Sequence, residues 1–209
     1  MTQVIQASEL TLSDVENQFN LRQVINDSTF FYEWQNDLPE LSQSERDALE
    51  RVKTEFLYLN KYSMLEDLVK MVVLSPLLSL AGFYRPPIRP VLEKRVDVAL
   101  QDENKTAWGR IDILVLQQQV WVTVIESKQA GFSLKDATAQ ALFYMMANPN
   151  PEQPTFGLVT NGSHFTFIKL IRNTVSQYAF SPEFSLFRPD NELCCVLRIL
   201  KRFTDLKYT

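Results

Sequence analysis

Asp112, Glu126 and Lys128 lie in two stretches whose apolar residues alternate as in β-strands, Gly109-Arg-Ile-Asp-Ile-Leu-Val-Leu116 and Val120-Trp-Val-Thr-Val-Ile-Glu-Ser-Lys128. Strand side chains repeat with a period of two, so Glu126 and Lys128 point the same way. A polar turn at Gln117–Gln119 folds the second stretch back on the first. Two carboxylates and an ammonium then meet at one end of a hairpin. Apolar strands rarely carry such charges unless they are paired or bind a metal. A pair of carboxylates can hold a hard divalent cation, and a neighbouring lysine can act on a water beside it, so a metal-dependent hydrolytic site is the expectation. The competing explanation is an exposed strand-end ion pair between Glu126 and Lys128. A turn-capping role for Asp112 conflicts with its place between Ile111 and Ile113.

Other chemistries find few residues to use. His164 is the single histidine, and its place beside a turn suits a surface residue. Cys194 and Cys195 are adjacent and far from it, so neither zinc-ligand spacing nor a disulfide framework is present, and both suit packing in an apolar helix. A Ser-His-Asp triad would have to use His164. With five glycines and neither phosphate-loop pattern, the phosphate-cradling loops are missing. The net charge of −4 argues against broad sequence-independent affinity for nucleic acid but leaves room for a local basic groove. The N-terminus lacks the pattern of a signal peptide, and the richest apolar run, 71–81, is too short to span a bilayer. A reducing, cytoplasmic setting without membrane association is expected.

The elements that must position the charges can be read in outline. At 209 residues with 45% hydrophobic content, the chain suits one domain with an appendage. Residues 1–60 read as a helical N-terminal extension packed on a core of residues 61–209. Within the extension, a short helix is capped at Ser13 or Asp14, and the aromatic cluster Phe30-Phe-Tyr-Glu-Trp34 packs on the core or lies over it as a lid. Ser42-Gln-Ser-Glu45 is a capping box opening a helix to about Asn60, and Ser63-Met-Leu-Glu66 is a second one opening a helix through Leu78. Tyr84–Pro90 reads as a loop because of its prolines. A strand follows over Lys94–Leu100, and residues 101–106 form a polar turn. After the hairpin come a helix starting at Ser133 or at Lys135-Asp136 and running to about Ala147, a strand over Thr155–Thr160, the Asn161-Gly162 turn, a returning strand over Phe165–Leu170, an extended stretch to Phe187, and a last helix capped at Asp190 or Asn191. This order predicts an α/β (α+β) fold, a mixed β-sheet flanked by helices.

Ile111-Asp112 followed by Ile125-Glu126-Ser127-Lys128 resembles the signature of the PD-(D/E)xK nuclease superfamily. Glu66 on an upstream helix fits it. Gln140-Ala-Leu-Phe-Tyr144 resembles the Gln-x-x-x-Tyr element of RecB-type nucleases and of the nuclease domain of type I restriction enzyme R subunits, and Val159-Thr-Asn-Gly162 followed by Phe165-Thr-Phe resembles the strand pair that ends that restriction-subunit domain. The matches span roughly residues 63–170. The resemblance implies a restriction-endonuclease-like fold and a Mg²⁺-dependent endodeoxyribonuclease of the restriction or defence type, with Mn²⁺ as a substitute ion.

It also implies roles for individual residues. Asp112, Glu126, Glu66 and the Ser127 carbonyl would be metal ligands, Lys128 would act on the attacking water or the transition state, and Gln140 would orient the site. Tyr144 would contact DNA; beside the resemblance, Lys135 at the start of the same helix could reach a phosphate, and Arg85, Arg89 and Arg110 are candidates for contacts to the DNA backbone. Free-standing members of the superfamily often dimerise, so a homodimer is expected, as are restriction-modification partner subunits. Two competing explanations stand beside these roles: the second capping box accounts for Glu66 without catalysis, and Glu93 is a rival acid. Gln140 could be solvated and Tyr144 could be core. The alternative to the whole reading is a catalytically inactive nuclease-fold protein that binds DNA or protein. A single-strand or RNA nuclease, stacking bases on Phe30–Trp34, is a third.

Overall fold

The computed structural model describes residues 3–100, 105–118 and 120–206; residues 101–104, where most of a polar turn was expected, and Gln119 at the hairpin tip lie outside the described residues. The hairpin forms as its alternation predicts. Strand β4 (Lys105–Gln117) and strand β5 (Val120–Ser127) run antiparallel, with Ile113 opposite Ile125 and a bulge at Val115/Leu116. The edge strand β3 (Ile88–Ala99) covers the other side of β4. It starts earlier than expected and takes in Arg89 and Pro90, because an edge strand tolerates a proline that a central one would not.

Beyond β5 the sheet changes direction. Strand β6 (Thr155–Thr160) runs parallel to β5, a pairing that needs a crossover, supplied by helix α5 (Leu134–Met146). Strand β7 (His164–Ile171) returns antiparallel through the Asn161-Gly162 turn, and β8 (Ser176–Phe180) and the short β9 (Phe184–Ser185) pair with β7. The result is one mixed sheet flanked by helices.

Every residue of β6 is buried, as a strand covered on both faces must be. One core joins helices α2 (Gln43–Leu59), α3 (Glu66–Val69), α4 (Ser75–Leu80) and α6 (Leu193–Asp205) to Ile113, Val115, Ile125, Leu158 and Phe167. The other joins α1 (Leu12–Phe19) and α5 to Ile111, Leu114, Val124, Val159 and Ile168. Among the described residues, no helix is long and apolar enough to cross a membrane.

Residues 1–60 are not the purely helical extension expected. Strand β1 (Gln3–Gln6) joins β4 in parallel, and β2 (Leu21–Gln23) joins β8 in parallel. Both are short and polar, so they carry little periodicity of their own and form only because the sheet offers them unpaired edges. The cap of α1 is Thr11, with Asp14 as its capping-box partner, instead of Ser13 or Asp14. The Ser42/Glu45 box opens α2 as expected.

The helix after it differs. It starts at Glu66 with Leu65 at the N-cap and no side-chain cap, so Ser63 does not close a box. It then widens into a π-helical turn, Lys70–Leu74, before α4. Pro76 lies near the start of α4; it lacks an N–H and crowds the carbonyl four residues back, which a wider preceding turn relieves.

The Asn161-Gly162 turn is also a packing joint. Gly162 has φ +85, and a Cβ there would stand 2.9 Å from Phe56 of α2 and 2.9 Å from Val69 of α3. Gly162→Ala therefore combines backbone strain with a clash against two buried side chains. A loss of about 2–3 kcal/mol in denaturant unfolding is expected, and a loss below about 0.5 kcal/mol would contradict this packing.

Candidate active site

The carboxylates of the hairpin sit where β4 and β5 part. Asp112 is 9% exposed and Glu126 3% exposed, although both are acids. Asp112 is held from two sides. Its Oδ2 accepts the Ser127 backbone N–H at 2.7 Å and the Ser127 hydroxyl at 3.2 Å, and its Oδ1 accepts from Lys70 Nζ at 3.0 Å. Glu126 accepts from Lys128 Nζ at 2.8 Å through Oε1, as two residues on one strand face should. Its other oxygen, Oε2, is buried with no hydrogen-bond partner. Burial and then the nearby Asp112 charge push the Glu126 carboxyl up to about 8, and Lys128 offsets only part of this. The site therefore holds a desolvated acid with one oxygen free and a negative neighbour, an arrangement that a proton or a cation relieves.

Glu66 comes to the same place. Without a capping box to hold it, its Oε1 lies 2.7 Å from Lys70 Nζ and 3.5 Å from the Ser127 hydroxyl. Glu93, the rival acid, is more exposed and reaches Lys70 Nζ at 3.8 Å. It stands opposite Asp112, between the Leu92–Ile113 and Lys94–Ile111 pairs, with φ +50, a conformation uncommon for a residue other than glycine. Four carboxylates thus face two ammoniums. The lysine at their centre, Lys70, is absent from the expected residues. Its sequence signal was present: Glu66 and Lys70 are four apart on one helix face, the spacing of a helical ion pair. Burial alone would lower the Lys70 pKa, but the hydrogen bonds it donates to Glu66 and Asp112, with their charges, outweigh that and raise it, so it is a fixed positive charge.

The loop leaving β5 is pinned across the sheet. The Lys128 N–H donates to the Thr160 carbonyl at 2.8 Å, and the Ala130 N–H to the Met64 carbonyl at 3.3 Å, so the strand end and the start of α3 are fixed to one another.

Gln140 and Tyr144 share the buried face of α5, 8% and 2% exposed, so neither is solvated. Tyr144 reaches β4 because Gly109 has no side chain: a Cβ there would stand 2.7 Å from the ring and hydroxyl of Tyr144. Burial, then the Glu126 charge, raises the Tyr144 pKa and keeps its hydroxyl protonated, with the Gln140 side chain and the Arg110 backbone against it. Arg110, Gln140 and Tyr144 line a cleft of about 390 Å³ with Gln6 and Trp108. Arg85, Arg89 and Lys135 are exposed, and among the described residues no hydrogen bond or ion pair joins their side chains to the carboxylates. The Phe30–Trp34 cluster packs against the core: Phe31 is buried, and Phe30 and Tyr32 face Lys169. His164 is half-buried on Ser163 and Phe187, and Cys194 and Cys195 are free.

Among the described residues, no three His, Cys, Asp or Glu side chains form a ready metal cage. The donor set nevertheless fits a hard cation that keeps most of its water: one buried carboxylate oxygen without a partner, a second carboxylate beside it, and no soft ligand near. The chain matches no protein-family model and no curated protein.

Proposed function

We propose that the protein is a Mg²⁺-dependent endonuclease that hydrolyses DNA phosphodiester bonds, with Asp112, Glu126 and Lys128 at its centre. The observation that carries this reading is the buried, unpartnered oxygen of Glu126, next to Asp112 and with Lys128 on its other oxygen. The resemblance of Asp112, Glu126-Ser-Lys128, Gln140 and Tyr144 to PD-(D/E)xK nucleases gives the reaction class. Asp112, Glu126 and the Ser127 carbonyl would hold the ion, with Glu66 nearby. When bound, Mg²⁺ neutralises charge that develops on the phosphoryl oxygens and lowers the pKa of a water.

The remaining roles belong to the chain itself. Ser127 fixes Asp112 through its N–H and hydroxyl, so that carboxylate is aimed before any ligand arrives. Lys128, 2.8 Å from Glu126, is placed to orient the attacking water or to stabilise a phosphoryl oxygen as charge builds there. Tyr144 keeps its proton and, with Gln140, sets the distance between α5 and β4 beside the carboxylates. Arg110 is exposed at the mouth of that cleft, and Arg85, Arg89 and Lys135 would contact the phosphate backbone from the surface. The free Cys194 and Cys195 fit a reducing, cytoplasmic setting.

Incubation with supercoiled plasmid DNA tests the reading. Nicking that needs Mg²⁺ or Mn²⁺, stops with chelator and falls about 10²-fold or more in Lys128→Ala is the expected result. Cleavage that survives Lys128→Ala and Asp112→Ala together would overturn the site. DNA bound without any cleavage would instead favour the inactive, binding reading.

A further inference from the structure

Lys70 places a cation of the chain's own among the carboxylates. Lys70 Nζ lies 2.7 Å from Glu66, 3.0 Å from Asp112 and 3.8 Å from Glu93. It is therefore bound to Asp112, which the proposed function assigns to a metal ion, to Glu66 beside that ion's ligands, and to the rival acid Glu93. Three features mark this as a built arrangement. The lysine side chain is only 20% exposed, so its ammonium is held in the cluster and is not a freely solvated surface charge. It opens the π-helical turn Lys70–Leu74, a local feature often found at functional sites, so it is carried on an irregular part of the helix. It also borders an open cavity of about 500 Å³ lined by Met71, Tyr84, Pro90 and Leu92, which gives its long side chain space to move into.

We infer that Lys70 is a resident counter-cation: it holds Glu66 and Asp112 together in the metal-free protein, and the divalent ion must displace its ammonium to bind. This rests on the metal-dependent reading above. Three like-charged carboxylates beside Glu126 repel one another, and an ammonium among them keeps the site assembled at no cost in ligand. The same ammonium lowers the affinity for an incoming cation, since the pairs with Glu66 and Asp112 must be broken first. Lys70 is thus a positioning residue that sets the metal concentration at which the protein becomes competent.

The test is calorimetric titration of Mn²⁺ into the whole protein without DNA, with thermal unfolding followed in parallel. Lys70→Met is expected to bind Mn²⁺ about tenfold or more tightly than the wild type, a difference typical of removing one nearby charge. Its melting temperature without metal should be lower, and the rise on adding Mn²⁺ larger. Lys70→Arg keeps the charge and should stay close to the wild-type affinity, which guards against a loss that comes only from packing.

The outcomes separate the two ideas. Mn²⁺ binding by the wild type with no gain in Lys70→Met would overturn the counter-cation and leave the nuclease reading standing. Tight binding by Lys70→Arg equal to that of Lys70→Met would also overturn it. Binding by neither the wild type nor Lys70→Met would overturn both.

Discussion

Glu126→Gln should make the metal-free protein more stable above neutral pH while abolishing the Mg²⁺-dependent cleavage proposed for it. The Glu126 carboxyl is raised from an ordinary 4.5 to about 8, first by burial and then by Asp112. A folded-state pKa above the unfolded one means that ionisation opposes folding. Below about pH 4.5 the group is protonated in both states and costs nothing. As pH rises from about 4.5 to about 8 the unfolded chain ionises freely and the folded one does not, so stability falls across that window and levels off above it. Each unit of difference corresponds to about 1.4 kcal/mol, and a glutamine brings an amide that also needs partners, so a gain of about 2–4 kcal/mol near pH 8 is expected. Denaturant midpoints measured in chelator from pH 4 to 9 check it. The wild type and Glu126→Gln should converge at the acid end and separate above it; curves that coincide throughout would mean that the buried carboxyl carries no penalty. The proposed cleavage should drop by about two to four orders of magnitude in the same variant, because the neutral amide does not bind a hard cation as a carboxylate does and leaves Lys128 without an ion pair. Stability gained where activity is lost is the signature of a strained functional site.

Breaking the buried pair of Glu33 and Lys169 should be the most damaging single change away from the site. The two side chains are 2.6 Å apart and each is 5% exposed, although they stand 136 positions apart in the chain. Lys169 also lies over the rings of Tyr32 at 5.1 Å and Phe30 at 5.7 Å. The pair therefore fastens the aromatic segment of the first sixty residues to β7. Glu33→Ala leaves an ammonium buried among rings without its carboxylate, and a loss of about 3–5 kcal/mol is expected. Replacing both, Glu33→Leu with Lys169→Met, removes two desolvated charges together and should recover most of that loss, because a buried pair and a packed apolar pair are often close in energy. A double-mutant cycle in denaturant measures the difference. Equal losses in the single and double variants would show that the aromatic packing, and not the charge pair, holds the segment. The proposed Mg²⁺-dependent cleavage, taken per folded molecule, should be unaffected by the double change.

The hairpin charges were legible because they break a rule. Asp112 and Glu126 interrupt apolar strands, and a period of two puts Lys128 beside Glu126, so their convergence needed only local information. The cap of α2, the turn at Asn161-Gly162 and the helix after Ser133 were equally local, each written in two to four residues. The surface arginines were not legible in this way. Arg85, Arg89 and Lys135 are exposed, and an exposed charge has no periodicity or burial to say what it faces.

Tertiary structure decided the rest. Lys70 meets Asp112 across 42 residues, and Lys169 meets Glu33 across 136. Such pairs depend on how helices dock on the sheet, which no short window of sequence contains. Strands β1 and β2 became part of the sheet because β4 and β8 had edges to offer, although their own residues are too few and too polar to announce a strand. Glu66 changed most: its sequence allowed a capping box, but Ser63 does not cap the helix, and the carboxylate turns to Lys70 instead. By itself the sequence determined which acids and which lysine meet on the hairpin; the docking of α3 and its wide turn against that hairpin decided that a second lysine stands among them.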